Sequence, residues 1–276
     1  MMLQDFPYQY VAATAMVAFA CAYFSHAASL KVGLVDKPDE RKLHDGHVPL
    51  AGGPMVFATF VIAVFAFGPP VSGAVPGMAA LVLLAVVFLV GLLDDYVHLR
   101  PSLRLFIQAI CGLLMPVIGG VSLHGVGDLL GFGPIELGYL AVPLTALAFA
   151  GLVNAYNMID GADGLCASLA LLPIFVLAVL AWHVGEPLWF VLATAATALG
   201  VFLVFNLGSG SRWLPKVFLG DSGSGMLGFL VCAVLVYFSQ APQMLVKPVT
   251  CLWLVAVPLM DMLATAEADI RKDLPR

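Results

Sequence analysis

The segment "VSGAVPGMAALVLLAVVFLVGLLDD", residues 71–95, decides the fold class of this chain. Its first 23 residues carry no charge, and they run directly into two adjacent carboxylates, Asp94 and Asp95. A helix of roughly 17–25 apolar residues is long enough to cross the hydrocarbon of a bilayer. The segment is therefore predicted to span a membrane. It also poses a question, because two like charges at the end of a span repel each other and resist burial together.

The composition of the whole chain supports the same conclusion. The 276 residues are 62% hydrophobic and 11% charged, with a mean hydropathy of +1.02. Soluble domains carry about a quarter charged residues, so a soluble protein is excluded. No Lys or Arg precedes the first apolar run, which favours a permanent helix over a cleavable signal peptide. We predict an all-α, polytopic integral membrane protein that forms a single transmembrane domain over residues 1–276.

The length rule for membrane spans, applied along the chain, predicts nine transmembrane helices. They cover residues 8–28, 51–69, 75–93, 103–120, 138–154, 165–183, 187–206, 224–240 and 246–264. With nine alternating spans, eleven of the twelve Lys and Arg residues fall on one side, and only Lys247 falls on the other. The positive-inside rule makes the first side cytoplasmic and places the N-terminus outside. Thirteen of the seventeen acidic residues share that cytoplasmic side, so most of the polar chemistry is predicted to lie at one membrane surface.

Four cytoplasmic stretches concentrate residues that could carry chemistry. They are "GLVDKPDERKLHDGHVPLAGG" (33–53), "DDYVHLRPSLRLFIQ" (94–108), "NAYNMIDGADGL" (154–165) and "KVFLGDSGSGMLG" (216–228). In the third, Asn154, Asn157, Asp160 and Asp163 recur every three residues, which places side chains on one face of a helical or 3₁₀ turn. Asn, Asp and Gly are also ordinary turn residues, so a simple cap and loop is the alternative interpretation.

The fourth stretch contains the predicted start of a helix. Asp221, Ser222 and Gly223 stand there, where free backbone N–H groups favour an anion such as a diphosphate. Gly225 and Gly228 follow, and small residues of this kind typically let one membrane helix pack closely against another.

The first stretch is rich in charge, and Arg41, Lys42 and His44 could simply anchor it at anionic lipid headgroups. That interpretation leaves the "PLAGG" sequence unexplained. Taken together, the four stretches supply carboxylates and amides, which suit Mg²⁺, and guanidinium and ammonium groups, which suit phosphate. They indicate phosphoryl transfer between a substrate in water and a substrate in the membrane.

The order of the motifs resembles a known family. The patterns are "VDKP.ERK.H.G..PL.GG", "GLLDD...L....R...Q", "N..NMIDGADGL" and "KVFLGDSGS". Over residues 30–263 the chain resembles the polyprenyl-phosphate N-acetylhexosamine-1-phosphate transferases, and it is more similar to the undecaprenyl-phosphate N-acetylglucosamine-1-phosphate branch than to the peptidoglycan branch.

The resemblance implies a reaction. The family moves a sugar 1-phosphate from a UDP-N-acetylhexosamine to undecaprenyl phosphate, releases UMP, and uses Mg²⁺, with Mn²⁺ as a second candidate. The expected location is the bacterial inner (cytoplasmic) membrane, where the product starts a cell-envelope glycan such as a lipopolysaccharide O-antigen. We expect no nucleic-acid partner, and a homodimer is a further expectation.

The resemblance also implies roles for eleven residues. The implied metal ligands are Asn157 and Asp221. The implied catalytic acids are Asp94, Asp95, Asp160 and Asp163. The implied substrate-binding residues are Lys42, His44, Arg104, Asn154 and Lys216. In this family the first acid of the pair is often assigned to the nucleophile. A phosphate monoester has a second pKa near about 6, so a base at Asp94 should accelerate the reaction mainly at acidic pH.

One part of the family pattern has no counterpart in this sequence. The family continues past "PLMDM" into a basic loop with a His-x-His-His motif and two more helices, whereas all six histidines here precede residue 184. We therefore expect weaker binding of the donor diphosphate. A shortened, inactive homologue that binds lipid or a partner is the alternative function. An ion-coupled transporter is a third, although transporters usually place charged groups near the bilayer midplane.

Overall fold

Helices account for most of the computed structural model, which describes residues 7–36, 48–68, 75–128, 131–208, 210–241 and 244–273. The α-helices are α1 Tyr8–Val32, α2 Gly52–Phe67, α3 Val75–Val97, α4 Pro101–Leu114, α5 Ala141–Met158, α6 Leu165–Val184, α7 Trp189–Asn206, α8 Gly220–Gln240, α9 Pro248–Leu254 and α10 Ala256–Asp273. The strands are very short: β1 Val35–Asp36 pairs antiparallel with β2 Val48–Pro49, and β3 Gly125–Gly127 with β4 Ile135–Glu136. The all-α prediction is confirmed.

Seven helices in the described ranges are long and apolar enough to cross a membrane. The predicted second span corresponds to α2, which is apolar but has only 16 residues. The predicted ninth span is not one continuous helix, because α9 and α10 meet at a bend of 66°. Pro258, in the first turn of α10, has no N–H to bond the carbonyl of Leu254, which accounts for the break. The count of nine and the orientation in the membrane remain predictions.

Helix α8 lies at the centre of the bundle. In an 18-residue apolar segment of α8, 78% of the residues are buried. The corresponding share is 22% for α4 together with its π-helical extension Met115–Gly119. Glycines allow this close packing: a Cβ on Gly228 would stand 2.6 Å from the carbonyl oxygen of Leu152 in α5. The packing role predicted for Gly228 is confirmed. At Gly225 a Cβ would meet its nearest neighbour at an ordinary 3.6 Å, so close packing does not require a glycine there.

The "PLAGG" sequence joins two loops through their backbones. The N–H groups of Gly52 and Gly53 donate to the carbonyls of Phe218 (2.8 Å) and Leu219 (2.9 Å), and the N–H of Phe218 donates to the carbonyl of Pro49 (3.0 Å). A Cβ on Gly52 would lie 2.8 Å from the Cα of Leu219, so this approach requires glycine. The motif therefore fixes the segment that leads into α8. The two binding residues predicted nearby, Lys42 and His44, lie outside the described residues.

Candidate active site

A cavity of about 850 Å³ opens at the end of the bundle where α3 ends and α8 begins. Its volume is within the range of about 300–1,000 Å³ that is usual for small-molecule sites. Among the described residues that line it are six carboxylates and one lysine: Asp36, Asp94, Asp95, Asp160, Asp163, Asp221 and Lys216. All four predicted catalytic acids are thus brought together, with Asn157 from α5 beside them. The predicted gathering of the acids at one end of the bundle agrees with this arrangement.

Asp94 belongs to a contact between α3 and α4. The side chain is 5% exposed; its Oδ1 accepts the N–H of Leu99 at 2.7 Å, and its Oδ2 is bonded by Nη1 of Arg104. Arg104 is brought back to α3 because the connection is short and Pro101 starts α4 at a position where its missing N–H is not needed. The same Nη1 lies 3.3 Å from Oδ2 of Asp221, so one guanidinium bridges two carboxylates.

Asp95 faces a different partner. Its two carboxylate oxygens accept the backbone N–H groups of Asp221 (2.7 Å) and Ser222 (3.0 Å) in the first turn of α8. The sequence predicted that these N–H groups are free to bind a diphosphate, and that prediction is wrong for these two groups. They are already satisfied by a carboxylate that the chain itself supplies.

The side chain of Asp221 contacts Asn157 of α5 as well as Arg104 of α4. Nδ2 of Asn157 donates to Oδ1 of Asp221 at 2.6 Å and to Oγ of Ser224 at 3.1 Å. Ser224 in turn donates to the carbonyl of Gly220 at 3.0 Å, within the same turn of α8. The two residues predicted as metal ligands are therefore direct neighbours at the border of the large cavity.

The loop between α5 and α6 contributes Asp160 and Asp163. Nζ of Lys216 lies 2.6 Å from Oδ2 of Asp163 and 5.4 Å from the centre of the Phe218 ring. Burial, followed by the negative charges of Asp221, Asp95 and Asp163, raises the pKa of Asp160 from its ordinary 3.8 to about 7. The site therefore carries more negative charge than its cationic side chains neutralise.

A second, smaller cavity of about 170 Å³ lies between α4 and α5. It is lined by Pro101, Ser102, Arg104, Leu105, Gln108, Asn154 and Asn157. Asn157 borders both cavities, and Arg104 reaches from the small cavity to two carboxylates of the large one. Asn154 does not join the other three members of its predicted row, because it lies one helical turn back along α5 and faces the small cavity.

The residues of the large cavity that were not predicted from the sequence include His98, Asn206 and Phe218. Asn206 is 3% exposed; its Nδ2 donates to the carbonyl of Val217 at 2.8 Å, while its buried Oδ1 has no hydrogen-bond partner among the described residues. This amide ties the end of α7 to the segment that leads into α8. An asparagine at the end of the otherwise apolar helix α7 was the sequence signal for it.

The residues around Asp221 fit a hard divalent cation. The described residues contain no group of three or more His, Cys, Asp or Glu side chains arranged to hold a metal. Mg²⁺ does not need one, since it commonly takes one or two protein ligands together with waters and substrate phosphates. Rotating the Asn157 amide by half a turn would place its oxygen beside Oδ1 of Asp221 and give two oxygen ligands. The excess of carboxylates over cationic side chains favours a cation in the same place.

Comparison with known proteins identifies the family of this chain. The model of "Glycosyl transferase family 4" matches residues 77–239. The undecaprenyl-phosphate alpha-N-acetylglucosaminyl 1-phosphate transferase of Escherichia coli (strain K12) is 36% identical over 257 residues, which cover 91% of this chain and 68% of that protein. The proteins of the same name from Yersinia pestis and Haemophilus influenzae are each 35% identical, over 94% and 87% of this chain and 70% and 67% of their own lengths. The chain therefore belongs to glycosyl transferase family 4, as the order of its four motifs predicted.

Proposed function

We propose that this protein transfers N-acetylhexosamine 1-phosphate from a UDP-sugar to undecaprenyl phosphate and releases UMP. The names of its relatives favour N-acetylglucosamine as the sugar. The observation that carries the proposal is the pair of cavities that share Asn157 and meet at Arg104. Two neighbouring cavities suit a reaction between two phosphate compounds that enter the site from different sides.

In this proposal the large cavity holds the water-soluble donor and the small one receives the phosphate of the lipid. An oxygen of the lipid phosphate attacks the β-phosphorus of the UDP-sugar, the bond from that phosphorus to the bridging oxygen breaks, and UMP leaves. Transfers of this kind depend on positioning and on charge neutralisation more than on covalent protein chemistry. Arg104 is placed to hold the acceptor phosphate, while Asp94 fixes the orientation of the guanidinium.

A divalent cation, Mg²⁺ or Mn²⁺, would be held by Asp221 and Asn157, where it would neutralise charge on the donor diphosphate. Asp160 and Asp163 line the proposed donor cavity. Lys216 lines it as well and forms an ion pair with Asp163. The cytoplasmic face and the bacterial inner membrane are part of the proposal, since the basic loops predict that side.

The test is release of UMP by the purified protein in lipid nanodiscs, with UDP-N-acetylglucosamine as donor and undecaprenyl phosphate as acceptor. We expect release that requires both substrates and Mg²⁺, and that is lost in Asp221→Ala. Replacing the donor with UDP-N-acetylgalactosamine tests the choice of sugar. Binding of undecaprenyl phosphate without any release of UMP would instead identify an inactive lipid-binding homologue.

A further inference from the structure

The paired acids at the end of α3 differ in their contacts, and the difference assigns them different roles. We propose that Asp95 is a positioning residue, which takes the place of a ligand anion at the first turn of α8 and thereby fixes Asp221. The inference rests on the proposed function in one respect only, namely that Asp221 serves the reaction. The contact between α3 and α8 can be tested separately.

The geometry of Asp95 is that of a cap supplied by a neighbouring helix. The first N–H groups of a helix have no partner within it, and the helix dipole favours a negative charge near them. Oδ1 and Oδ2 of Asp95 each accept one of two successive N–H groups, at 2.7 and 3.0 Å. Because one of these N–H groups belongs to Asp221, the cap fixes the backbone that carries the proposed metal ligand.

The surrounding backbone is shaped for this contact. Gly220 has φ +75°, and a Cβ at that position would lie 2.8–3.2 Å from the carboxylate of Asp95. Gly91, one helical turn before Asp95 on the same face of α3, brings the helices together: a Cβ there would lie 2.7 Å from the nitrogen of Ser222. Two glycines on different elements thus make room for one interaction.

Asp94 provides the contrast. Its oxygens bond the N–H of Leu99 and the guanidinium of Arg104. Among the described residues, Asp94 makes no hydrogen bond to the backbone of α8. Asp94 therefore acts on the side chain that faces the acceptor cavity, whereas Asp95 acts on the helix that presents the metal ligand. The adjacent carboxylates belong to different contacts and need not share a chemical task.

The contact can be measured by hydrogen exchange with mass spectrometry, on the whole protein in nanodiscs. Asp95→Asn keeps one acceptor oxygen and Asp95→Ala keeps none, so exchange in peptides covering 217–226 should rise in that order. The loss of a helix cap corresponds to an increase in the exchange rate of about 2- to 30-fold. Asp94→Asn is the matched control, and exchange in these peptides should rise less in it than in Asp95→Asn, because Asp94 reaches α8 only through side chains. Unchanged exchange in Asp95→Asn overturns the proposal, even where Asp95→Ala does not fold.

Kinetics separate positioning from direct participation. In Asp95→Asn we expect a higher Mg²⁺ concentration at half-saturation and a lower kcat, with a pH–rate profile of unchanged shape. General loss of folding would lower kcat without moving the half-saturation, and a proton-transfer role would change the profile; either result overturns the proposal. A wild-type protein without transferase activity would refute the proposed function but would leave the exchange result to decide on the cap.

Discussion

Replacing Gly91 with alanine tests the approach of α3 to α8 most directly. The added Cβ would stand 2.5 Å from the carbonyl oxygen of Asp221 and from the Cα of Ser222. Both are backbone atoms, so no side-chain rotation can relieve the overlap. An ordinary contact for a Cβ is 3.4–4 Å, so the helices must separate by roughly 1 Å, and overpacking of this kind costs about 1–3 kcal/mol.

The same shift should affect the reaction more than the stability. Asp221 lies in the displaced turn, and a misplacement of about 1 Å in a reacting assembly can lower the rate about 100-fold. We therefore expect Gly91→Ala to unfold at a lower temperature in detergent and to release UMP about 100-fold more slowly. Thermal unfolding followed by tryptophan fluorescence and the UMP assay measure the two effects on the same preparation.

Two glycines of α8, Gly225 and Gly228, supply the controls. At Gly225 the nearest atoms to an added Cβ are side-chain carbons at 3.6 and 3.9 Å, so alanine should be tolerated and can even stabilise the helix by up to about 1 kcal/mol. At Gly228 the Cβ would meet the carbonyl oxygen of Leu152 at 2.6 Å, two turns from the site, so alanine should lower stability more than activity. If Gly91→Ala were as stable and as active as Gly225→Ala, the described contact between α3 and α8 would be refuted.

Three further predictions concern the charged residues of the cavity. Lys216→Asp should lower activity several-fold, because it places two carboxylates side by side, and the exchanged pair D163K/K216D should recover most of that loss in the UMP assay. Asp160, whose pKa is raised to about 7, changes from mostly protonated at pH 6 to mostly ionised at pH 8, so the Mg²⁺ concentration at half-saturation should fall over this range. The fall should be smaller in Asp160→Asn. Asp94→Asn should lower the rate equally from pH 6 to pH 8, because Asp94 contacts Leu99 and Arg104 and its loss acts through the position of the guanidinium.

Each of these has a result that contradicts it. Failure of the exchanged pair to recover activity would mean that Lys216 or Asp163 contacts substrate directly. A pH dependence of Mg²⁺ saturation that is equally steep in Asp160→Asn would assign the titration to another group. A loss in Asp94→Asn that is confined to acidic pH would support a general base at that position.

Much of the fold follows from local properties of the chain. Runs of apolar residues give the helices their positions, and the acids at one end of the bundle follow from where those runs stop. The break between α9 and α10 was missed because the apolar run is continuous across it, and only Pro258 marks the change. The 16-residue length of α2 was overestimated for a similar reason, since apolar residues next to a span extend a hydropathy pattern beyond the helix.

The partners within the site could not be obtained from local pattern. Asp95 and the N–H of Asp221 are 126 positions apart, and nothing in the sequence shows that α3 crosses α8 at its first turn. The helix start at Asp221 was recognised correctly, but the anion that occupies it belongs to the protein. The "PLAGG" glycines pose the same difficulty, because they serve backbone contacts to Phe218 and Leu219 rather than a ligand.

The repulsion between Asp94 and Asp95 is resolved by the geometry of a helix. Successive side chains on a helix point about 100° apart, so the two carboxylates at the end of α3 can turn to different neighbours. Each meets its own positive charge, Asp94 the guanidinium of Arg104 and Asp95 the positive end of the α8 dipole. The position of Asp94 next to Asp95 therefore has a structural consequence. It ties α4 and α8 to consecutive residues of one rigid helix, and so fixes the distance between the proposed acceptor-binding Arg104 and the proposed metal ligand Asp221.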